Sequence, residues 1–467
     1  MENFDLIIIG GGAGAFAAAI RANELKVKTA IINAGLPLGG TCVNVGCLPS
    51  KILLHAGEIL HMAKNHNVGG IELEVKKFNF DKVVKDEMAM VEMSRKDKYE
   101  KVLANLEHVS FIDGFAKFTG EKEIEVSSEK ISAEKFIIAT GSTANVPPIK
   151  NIEEVGFVTH IEALQLEKQP KELVVVGAGP VGLEFAQMYS RFGTKVTILQ
   201  KGKSIFGNGE PELIARLAEI LQSEGITIKT NVDIKSAKEE NGKKVIIFET
   251  LGKQEEVSAD EILLAAGKTP NTKNLGLENV GVDVNDRHAV VVDKFFQTNK
   301  AHVFAIGDVS NAPLRLETTA GHEGTLVVEN IISSAKNNID YNSVPYTIFT
   351  DPQFASVGWT EEKQMKETGV CACRTVPFEI IPKAQIIRRT EGLIKMGIDP
   401  KTKQILGVHI LAPNAGDLIA QAAILIKNKN TIDDVLHSMP VFPTLSESFK
   451  YAALAFTKDL SKLSCCI

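Results

Sequence analysis

Two segments of the chain repeat one hydrophobic pattern, in which a short apolar run leads through a glycine-rich turn into a helix and then into a second apolar run. The predicted strand, helix and strand positions are residues 5–9, 17–25 and 29–32 in the first segment and residues 173–176, 183–192 and 195–199 in the second. Each unit spans about 30 residues, the size of a dinucleotide-binding strand–helix–strand unit. The pattern therefore predicts an α/β fold with two Rossmann-like nucleotide-binding domains.

The glycines of the two turns are candidate nucleotide contacts. Glycine allows a tight turn and a close approach of the backbone to a pyrophosphate, and the N-terminus of the following helix attracts the phosphate charge. A single such turn is often a strand–helix connection without a ligand, but two in one chain favour nucleotide binding. The candidate cofactor-binding residues are Gly10, Gly12, Gly14, Ala15, Gly177, Gly179 and Gly182, with Asn33 at the end of the second strand of the first unit.

Three further apolar runs, at residues 137–141, 263–267 and 303–308, end in small or acidic residues. Where a strand ends without bulky side chains, a cofactor can approach the backbone, and Asp308 can accept hydrogen bonds from a polyol hydroxyl. Each run taken alone is also typical of a strand that simply ends in a turn. The candidate cofactor-binding residues in these runs are Thr140, Gly141, Gly267 and Asp308.

The last part of the chain, from about Val344, alternates apolar stretches with helical patterns and contains no glycine-rich nucleotide turn. Strands are predicted at residues 346–349, 392–398 and 405–410, and a helix at residues 415–428. The chain of 467 residues is about three times the ~150 residues of a typical domain. We therefore predict a first nucleotide-binding domain at residues 1–150 that continues over 271–343, a second at 151–270, and a C-terminal α+β domain at 344–467.

Charge and hydropathy exclude two classes of partner. The 52 Lys and Arg residues against 58 Asp and Glu residues give a net charge of −6, without a block of like charges that would attract nucleic acid or a membrane surface. The longest uncharged apolar run, Leu6 to Ile20, is shorter than the ~18 residues of a membrane-spanning helix. It also lacks the basic start of a secretion signal. The sequence predicts a cytoplasmic enzyme with neither nucleic acid nor membrane as partner.

The six cysteines fall into three close pairs, at residues 42 and 47, 371 and 373, and 465 and 466. In a reducing cytosol, close pairs more often bind soft metals or exchange electrons than stabilise the fold. Cys371 and Cys373, two apart in a predicted strand, would face the same way and could bind metal, but small core-facing side chains are the favoured interpretation. The terminal pair is either a ligand pair or two idle thiols on a frayed tail.

Cys42 and Cys47 are too far apart to pair on a regular helix. Five positions rise about 7.5 Å, beyond the ~4.4–6.8 Å between the α-carbons of a disulfide. The helix start must therefore be distorted, which Gly46 permits, and a strained, accessible disulfide is of the redox-active kind. Two reduced cysteines buried in an ordinary helix are the less favoured alternative.

The stretch Cys42-Val-Asn-Val-Gly-Cys-Leu-Pro-Ser-Lys51, with the two nucleotide units, resembles the FAD-dependent pyridine nucleotide-disulfide oxidoreductases over essentially the whole chain. The resemblance implies that the first unit binds FAD, with Gly40 and Thr41 as further contacts, and that the second binds the nicotinamide nucleotide. It also implies a homodimer whose interface lies in the last 120 or so residues.

The same resemblance assigns roles to four residues. Cys47 would be the thiolate that touches the flavin, and Cys42 the sulfur that attacks the substrate. Lys51 would lie beside the flavin, paired with Glu184. A cation there stabilises the anionic reduced ring, and the carboxylate compensates the charge of the lysine.

The C-terminal part departs from the disulfide-reducing members of the family. Those members carry His-Pro-Thr-x-x-Glu, whose His protonates the departing thiolate. Here the stretch reads Phe442-Pro443-Thr444-Leu-Ser-Glu447, which keeps Glu447 as a catalytic candidate but replaces the acid with an apolar ring. Reduction of an organic disulfide should therefore be poor.

The terminal pair, Cys465 and Cys466, resembles the tail of the mercury-reducing members of the family. Soft thiolates select soft ions, and a linear ion such as Hg(II) fits two sulfurs. We therefore predict that Cys42, Cys47, Cys465 and Cys466 bind Hg(II), delivered as a thiol complex, and that Hg(II) is reduced to Hg(0) through FAD and the Cys42/Cys47 pair. The alternatives are a reductase of an unknown small disulfide and a non-catalytic thiol protein that sequesters metal.

The nucleotide preference is predicted from the end of the second strand of the second unit. An NAD-selective protein usually presents an acid to the ribose at this point, whereas this chain has Lys201 and Lys203. A 2′-phosphate would meet these lysines, unless both are simply solvated. The sequence predicts a preference for NADPH, with NADH possible.

Overall fold

The computed structural model describes residues 2–464 of the chain. Its α-helices, in chain order, are α1 (Ala13–Glu24), α2 (Gly40–Val45), α3 (Cys47–Asn65), α4 (Phe80–Arg95), α5 (Lys101–Leu103), α6 (Ile152–Val155), α7 (His160–Leu164), α8 (Pro180–Phe192), α9 (Pro211–Ser223), α10 (Leu277–Val280), α11 (Glu317–Ser333), α12 (Glu361–Thr368), α13 (Pro382–Ile386), α14 (Ala415–Lys427), α15 (Ile432–His437) and α16 (Glu447–Leu454). Among the residues described, none of these helices is both long enough and apolar enough to span a bilayer.

The strands of the described chain form five sheets. In chain order they are β1 (Glu2–Ile9), β2 (Thr29–Asn33), β3 (Val109–Asp113), β4 (Ala116–Gly120), β5 (Glu123–Val126), β6 (Glu129–Ile138), β7 (Ser142–Ala144), β8 (Glu172–Val176), β9 (Lys195–Leu199), β10 (Thr227–Lys229), β11 (Val232–Glu240), β12 (Lys243–Thr250), β13 (Lys253–Ala259), β14 (Glu261–Leu264), β15 (Lys268–Pro270), β16 (Val303–Ala305), β17 (Tyr346–Ile348), β18 (Gln353–Gly358), β19 (Ala372–Pro377), β20 (Leu393–Ile398) and β21 (Ile405–Ala412). β7 and β15 form a two-stranded antiparallel ribbon.

The first sheet has the order β3-β2-β1-β6-β5-β4, and β16 pairs with β6. β1, β2, β3, β6 and β16 run parallel. Leu6 and Ile8 pack on one face against α1 and α11, whereas Ile7 and Ile9 pack on the other against β4, β5 and residues 275–309. Both faces are covered, which explains the uninterrupted apolar run of β1. Because β16 completes this sheet, residues after 270 return to the first nucleotide-binding unit.

The second sheet, β10-β9-β8-β14, is parallel throughout and repeats the first unit on a smaller scale. Leu173 and Val175 pack against α8 and α9, and Val174 and Val176 pack against the antiparallel sheet β11-β12-β13. The predicted α/β fold with two Rossmann-like units is confirmed. Both helices begin earlier than predicted, α1 at Ala13 and α8 at Pro180, because the last glycine of each motif lies inside the first helical turn rather than before it.

The C-terminal unit is a five-stranded antiparallel sheet of order β17-β18-β21-β20-β19. α14 and α16 cover one face, where Ile419 and Phe449 pack against Ile394 and Ile410 of the sheet. The predicted strands and helix of this part correspond to β17, β20, β21 and α14. The predicted C-terminal α+β architecture is therefore confirmed.

Candidate active site

A break between two helices positions the sulfur atoms of Cys42 and Cys47. α2 ends at Val45 and α3 begins at Cys47, with Gly46 between them at φ −136° and ψ −107°. A Cβ atom on Gly46 would lie 2.8 Å from the carbonyl oxygen of Thr41, so a larger residue requires the backbone to shift. The predicted distortion at Gly46 is confirmed, and the two cysteines are free thiols rather than the expected disulfide, close enough for each to shift the pKa of the other.

The loop before α2 is attached to the first glycine-rich turn. The Gly39 N–H donates a hydrogen bond to the Gly11 carbonyl at 2.7 Å. A Cβ atom on Gly40 would lie 2.7 Å from the Cα of Gly12, so the two backbones touch at this point. The candidate nucleotide turn and the segment that carries the cysteines thus form one continuous backbone surface.

Asn44, which the sequence reasoning did not select, holds the first turn of α2 in place. Its side-chain amide donates hydrogen bonds to the carbonyls of Pro37, Leu38 and Gly40 at 3.0, 3.1 and 2.9 Å. The residue is buried, so these bonds satisfy a polar group that would otherwise be costly to enclose. Its position between the two cysteines was the available sequence signal.

The two sulfurs have different electrostatic environments. A hydrogen bond from the Cys42 thiol lowers the pKa of Cys47, and the positive charge of Lys51 lowers it further, while burial acts in the opposite direction. The same hydrogen bond, together with burial and the charge of Cys47, raises the pKa of Cys42. In the reduced pair, therefore, Cys47 loses its proton more readily than Cys42.

Tyr99 and Glu317 lie within electrostatic range of the sulfur pair, and the sequence reasoning missed both. Burial raises the pKa of Tyr99 to about 12, and the charges of Cys42 and Glu317 contribute in the same direction. The Glu317 carboxylate, at the start of α11, also acts to raise both cysteine pKa values. Neither residue lies in a recognisable motif, so only tertiary packing reveals them.

Lys51, one turn after Cys47 on α3, forms an ion pair with Glu184 on α8, with 2.7 Å between Nζ and Oε2. The other Glu184 oxygen accepts a hydrogen bond from the Phe349 N–H at 2.9 Å, and the Phe349 ring centroid lies 4.5 Å from the lysine Nζ. The Glu184 side chain is only 7% exposed, which limits screening of the pair by solvent. The predicted contact is present, and it joins the first unit, the second unit and the C-terminal unit.

A cleft of about 210 Å³ opens beside Lys51. Its wall includes Glu58 on α3 and Arg191 on α8. Arg191 is held by Glu224 at 2.8 Å and by Asp351 at 3.0 Å. The cleft therefore presents fixed charges of both signs next to the lysine, and its geometry depends on the contact between α8 and the C-terminal unit.

The carboxyl ends of β1, β6 and β16 meet at one edge of the first sheet because these strands are parallel. Gly10, Thr140, Gly141 and Asp308, which the sequence proposed as cofactor contacts, follow these strand ends. The Ser142 hydroxyl donates a hydrogen bond to Asp308 Oδ2 at 2.6 Å. The Thr140 hydroxyl donates a hydrogen bond to the Asn271 carbonyl at 2.7 Å. The edge thus offers a carboxylate and exposed backbone to a ligand.

The first glycine-rich turn packs so closely against the end of β6 that its first position has no space for a side chain. A Cβ atom on Gly10 would collide with the carbonyl of Ala139, and Gly12 caps α1 at its N-terminus. Gly14 and Ala15 are buried in the first turn of that helix. Such a turn beneath a helix N-terminus fits the pyrophosphate of a dinucleotide such as FAD.

Asn33 lies at the same turn. Its Nδ2 donates to the Leu36 carbonyl at 2.9 Å, and its Oδ1 is so close to Gly11 that a Cβ atom there would collide with it. The amide is therefore fixed beside the glycines, at the end of β2, where the sequence predicts a ribose contact.

The second glycine-rich turn has the same construction. A Cβ atom on Gly177 would lie 2.5 Å from the carbonyl oxygen of Ala265, Gly179 caps α8, and Gly182 packs in the first helical turn against the Gly177 carbonyl. Exposed Lys201 and Lys203 follow β9 at the rim of this turn. The turn fits a second dinucleotide, with cations available to a 2′-phosphate.

Lys268, directly after Gly267, is a further residue that sequence reasoning missed. Its Nζ lies 2.9 Å from His160 Nε2. Burial lowers the pKa of Lys268, against the opposite influence of Asp308 and Cys47. Burial and the charge of Lys268 lower the pKa of His160 to about 4. A cation thus lies within electrostatic range of both the sulfur pair and the strand-end carboxylate.

Glu447 makes a local contact in the C-terminal unit. It begins α16, is buried, and accepts a hydrogen bond from the Thr444 N–H at 3.0 Å. The Phe442 ring is 57% exposed. The predicted metal ligands Cys465 and Cys466 lie outside the described residues.

The expectation that Cys371 and Cys373 are small core-facing side chains is wrong. Both are half-buried, and a disulfide joins them. Alternation along β19 directs Ala372 and Val376 to the apolar core and leaves the cysteines on the other face. The sequence could not show which face of an edge strand is covered.

Comparison with known proteins identifies the family. Residues 4–337 match the pyridine nucleotide-disulphide oxidoreductase family, and residues 344–453 match its dimerisation domain. The chain is 37% identical to a mercuric reductase of Staphylococcus aureus, covering 99% of this chain and 84% of that enzyme. It is also 37% identical to a dihydrolipoyl dehydrogenase of Thermus scotoductus, covering 98% of each.

Among solved structures, the fold is similar to that of RclA, an HOCl-induced flavoprotein disulfide reductase from Escherichia coli determined as a Cu(II) complex. The TM-score is 0.87 at 27% identity, over 97% of this chain and 99% of RclA. The chain belongs to the pyridine nucleotide-disulphide oxidoreductase family and is an NAD(P)H-dependent flavoprotein oxidoreductase with FAD and a nicotinamide nucleotide as its cofactors.

Proposed function

We propose that the protein reduces Hg(II), presented as a complex with thiol ligands, to Hg(0) with NADPH as electron donor. The observation that carries this proposal is Phe442, an apolar and largely exposed ring at the position where a disulfide reductase of this family needs an acid for the leaving thiolate. Reduction of a metal ion needs two electrons but no acid beside a breaking S–S bond. The similarity to mercuric reductases supports the same substrate.

The sulfur pair is suited to exchange ligands with Hg(II). Cys42, the sulfur that attacks the substrate, replaces one thiol ligand of the ion and passes its proton to that departing ligand, and Cys47 then displaces the second ligand. The ion keeps two sulfur ligands throughout, which favours transfer without release to solution. The overall reaction is Hg(SR)2 + NADPH + H⁺ → Hg(0) + 2 RSH + NADP⁺.

Residues of this chain would hold the cofactors on both sides of the sulfur pair. FAD, when bound along the first glycine-rich turn, supplies the two-electron relay between the nicotinamide and the sulfurs. Lys51 provides the positive charge beside that relay, and buried Glu184 fixes the lysine. Lys201 and Lys203 favour NADPH over NADH.

Mercury delivery and assembly complete the proposal. Cys465 and Cys466 would pass Hg(II) to the inner pair, and the match of residues 344–453 to a dimerisation domain supports a homodimer. The reaction would take place in the cytoplasm, where small thiols supply the metal ligands.

A second candidate is reduction of a small organic disulfide. The dihydrolipoyl dehydrogenase of Thermus scotoductus is as similar to this chain as the mercuric reductases are. This candidate requires a proton donor for the leaving thiolate other than residue 442.

Steady-state NADPH oxidation by the purified yellow protein separates the two candidates. Hg(II) with excess thiol should support continuous oxidation, whereas lipoamide and glutathione disulfide should not. Faster turnover of lipoamide than of Hg(II) would replace the first candidate with the second. NADH in place of NADPH should give lower catalytic efficiency, and equal efficiencies would contradict the role given to Lys201 and Lys203.

A further inference from the structure

The C-terminal sheet ends in β19, an edge strand whose outer face carries chemistry that mercury reduction does not use. Val376 packs in the apolar core, and the strand alternates, so Cys373 and Thr375 lie on the opposite face. There the Thr375 hydroxyl donates to Glu212 at 2.6 Å. This face therefore looks toward α9 and α12 rather than toward the core of the C-terminal unit.

Three potential metal ligands converge on that face. The sulfur atoms of Cys371 and Cys373 and a carboxylate oxygen of Glu361 lie within 4.8 Å of one another. The Cys373 sulfur is also 3.7 Å from the amide oxygen of Gln364. The cysteines are half-buried and the Glu361 side chain is 48% exposed, so solutes can reach the group.

The residue opposite Cys373 in the sheet has no side chain. Cys373 on β19 pairs with Gly397 on β20. A Cβ atom at Gly397 would collide with the side chain of Gln364, which is fully buried against the sheet. The glycine thus allows α12 to lie close to β19 and holds Gln364 and Glu361 beside the two sulfurs.

A neighbouring cluster of three carboxylates binds a lysine side chain instead of a metal ion. Glu210, Glu212 and Glu361 surround the ammonium of Lys395, at 2.8, 3.1 and 2.5 Å, and the lysine side chain is only 3% exposed. The lysine ammonium already occupies the space between these carboxylates, which is therefore not a free cation site. Glu361 uses Oε2 for Lys395, and a carboxylate has a second oxygen with which to bind a metal ion.

We propose that the reduced Cys371/Cys373 pair and Glu361 form a second thiolate site that binds a thiophilic d10 metal ion, and that the disulfide between the cysteines closes it. Two thiolates select a soft ion, and the carboxylate adds a third ligand for an ion that needs more than two. The site is separate from the Cys42/Cys47 pair and does not depend on mercury reduction.

Reduction of the disulfide opens the site, and the metal ion then binds to the two free sulfurs. A dithiol reagent breaks the Cys371–Cys373 bond, forms its own disulfide and transfers two protons to the protein sulfurs. On loading, each protein thiol forms one metal–sulfur bond and passes its proton to a departing ligand or to water. The oxidation state of the metal does not change.

The test uses the full chain with Cys42, Cys47, Cys465 and Cys466 replaced by serine, so that Cys371 and Cys373 are the only thiols. After reduction and removal of the reductant, Hg(II) is added with excess glutathione, and retained metal is measured after gel filtration. One Hg(II) per chain is expected in the reduced protein and none after oxidation with diamide. A Cys371→Ser variant of this background should bind about 100-fold more weakly, because the second sulfur no longer acts intramolecularly. Equal binding with one or two cysteines, or retention after oxidation, would overturn the proposal.

Zn(II) tests the third ligand in the same background. Glu361→Gln should weaken Zn(II) binding about tenfold and Hg(II) binding much less, since two sulfurs already satisfy mercury. Glu362→Gln, on the neighbouring exposed position, is the matched control and should bind both ions as the background does. Thermal unfolding of each variant checks that the fold is retained. An equal loss of Zn(II) in both variants, or no loss in Glu361→Gln, would remove Glu361 from the site.

Discussion

Cys42 and Cys47 lie on either side of a helix break, whereas Cys371 and Cys373 follow one extended edge strand. The first pair meets a lysine and a glycine-rich turn, and the pKa values of its two thiols are shifted in opposite directions. The second pair meets a carboxylate and an amide, without a nucleotide turn beside it. The two close pairs therefore differ in the charges and backbone around them, and this difference is the basis of the separate roles proposed for them.

Replacement of one sulfur in each pair should give the largest contrast. Cys42→Ser should lower Hg(II)-dependent NADPH oxidation at least ~1,000-fold, because the ion then has only one inner sulfur. FAD content and reduction of the flavin by NADPH should be retained. The Cys371→Ser variant should lose far less turnover. Comparable losses in the two variants would break the distinction between the pairs.

The Cys371/Cys373 pair has no helix break between its two residues. Gly46→Ala tests whether the break between α2 and α3 is needed for turnover. The new Cβ atom would lie 2.8 Å from the Thr41 carbonyl oxygen, so the backbone that positions the two sulfurs must shift. A displacement near 1 Å should reduce turnover about 100-fold. Gly57→Ala on the same helix is the control, since its Cβ atom would meet ordinary contacts from 3.5 Å outward. If both variants kept full turnover, the break would be unnecessary for the chemistry.

Two carboxylates, one on α4 and one on α12, should affect stability with opposite signs. Glu87, on α4, is 2% exposed and its Oε2 has no hydrogen-bond partner among the described residues. Burial raises its pKa from 4.5 to about 7. Its ionisation therefore opposes folding, and the cost is absent well below pH 4.5, grows as the pH rises and is complete above about pH 7.

Glu87→Gln should raise the free energy of unfolding by about 2 kcal/mol at pH 8 and by much less at pH 5. Glu361→Gln should lower it, because Lys395 loses an ion-pair partner. Urea denaturation at the two pH values measures both effects. A gain for Glu87→Gln that did not change with pH would show that packing, not ionisation, is responsible.

The smallest expected effect concerns Lys51, whose charge distinguishes the first pair from the second. The hydrogen bond from Cys42 and then the charge of Lys51 lower the pKa of Cys47. Lys51→Met should therefore move the pH profile of Cys47 alkylation to higher pH, so that less thiolate is present at a given low pH. Lys51→Arg should keep the original profile. Mass spectrometry of iodoacetamide-treated protein reports each cysteine separately.

The sequence alone predicted the parts of the site that depend on local backbone. Both glycine-rich turns and the distortion at Gly46 follow from residues that lie next to one another in the chain. The Lys51–Glu184 contact required the family resemblance, because the two residues are far apart in sequence. Tyr99, Glu317 and Lys268 were missed because tertiary packing alone brings them to the sulfurs.

The error at Cys371 and Cys373 has a similar cause. A strand pattern gives the alternation of faces, but it does not say which face of an edge strand another element covers. Ala372 and Val376 took the core face, and α12 covered the cysteines only in part. Gln364 and Gly397 decide that arrangement, and they are adjacent only in the folded chain.

The backbone contact between Gly12 and Gly40 has a consequence for engineering. A designer who grafts the cysteine segment onto another scaffold must also transfer the turn that carries Gly11 and Gly12, because the Gly39 hydrogen bond and the closest approach of the two backbones lie there. The two stretches are separated by more than twenty residues of helix and strand, yet they behave as one transplantable part. A side chain gained at Gly40 would press on the backbone of Gly12, so a change in the cysteine segment would also disturb the glycine-rich turn.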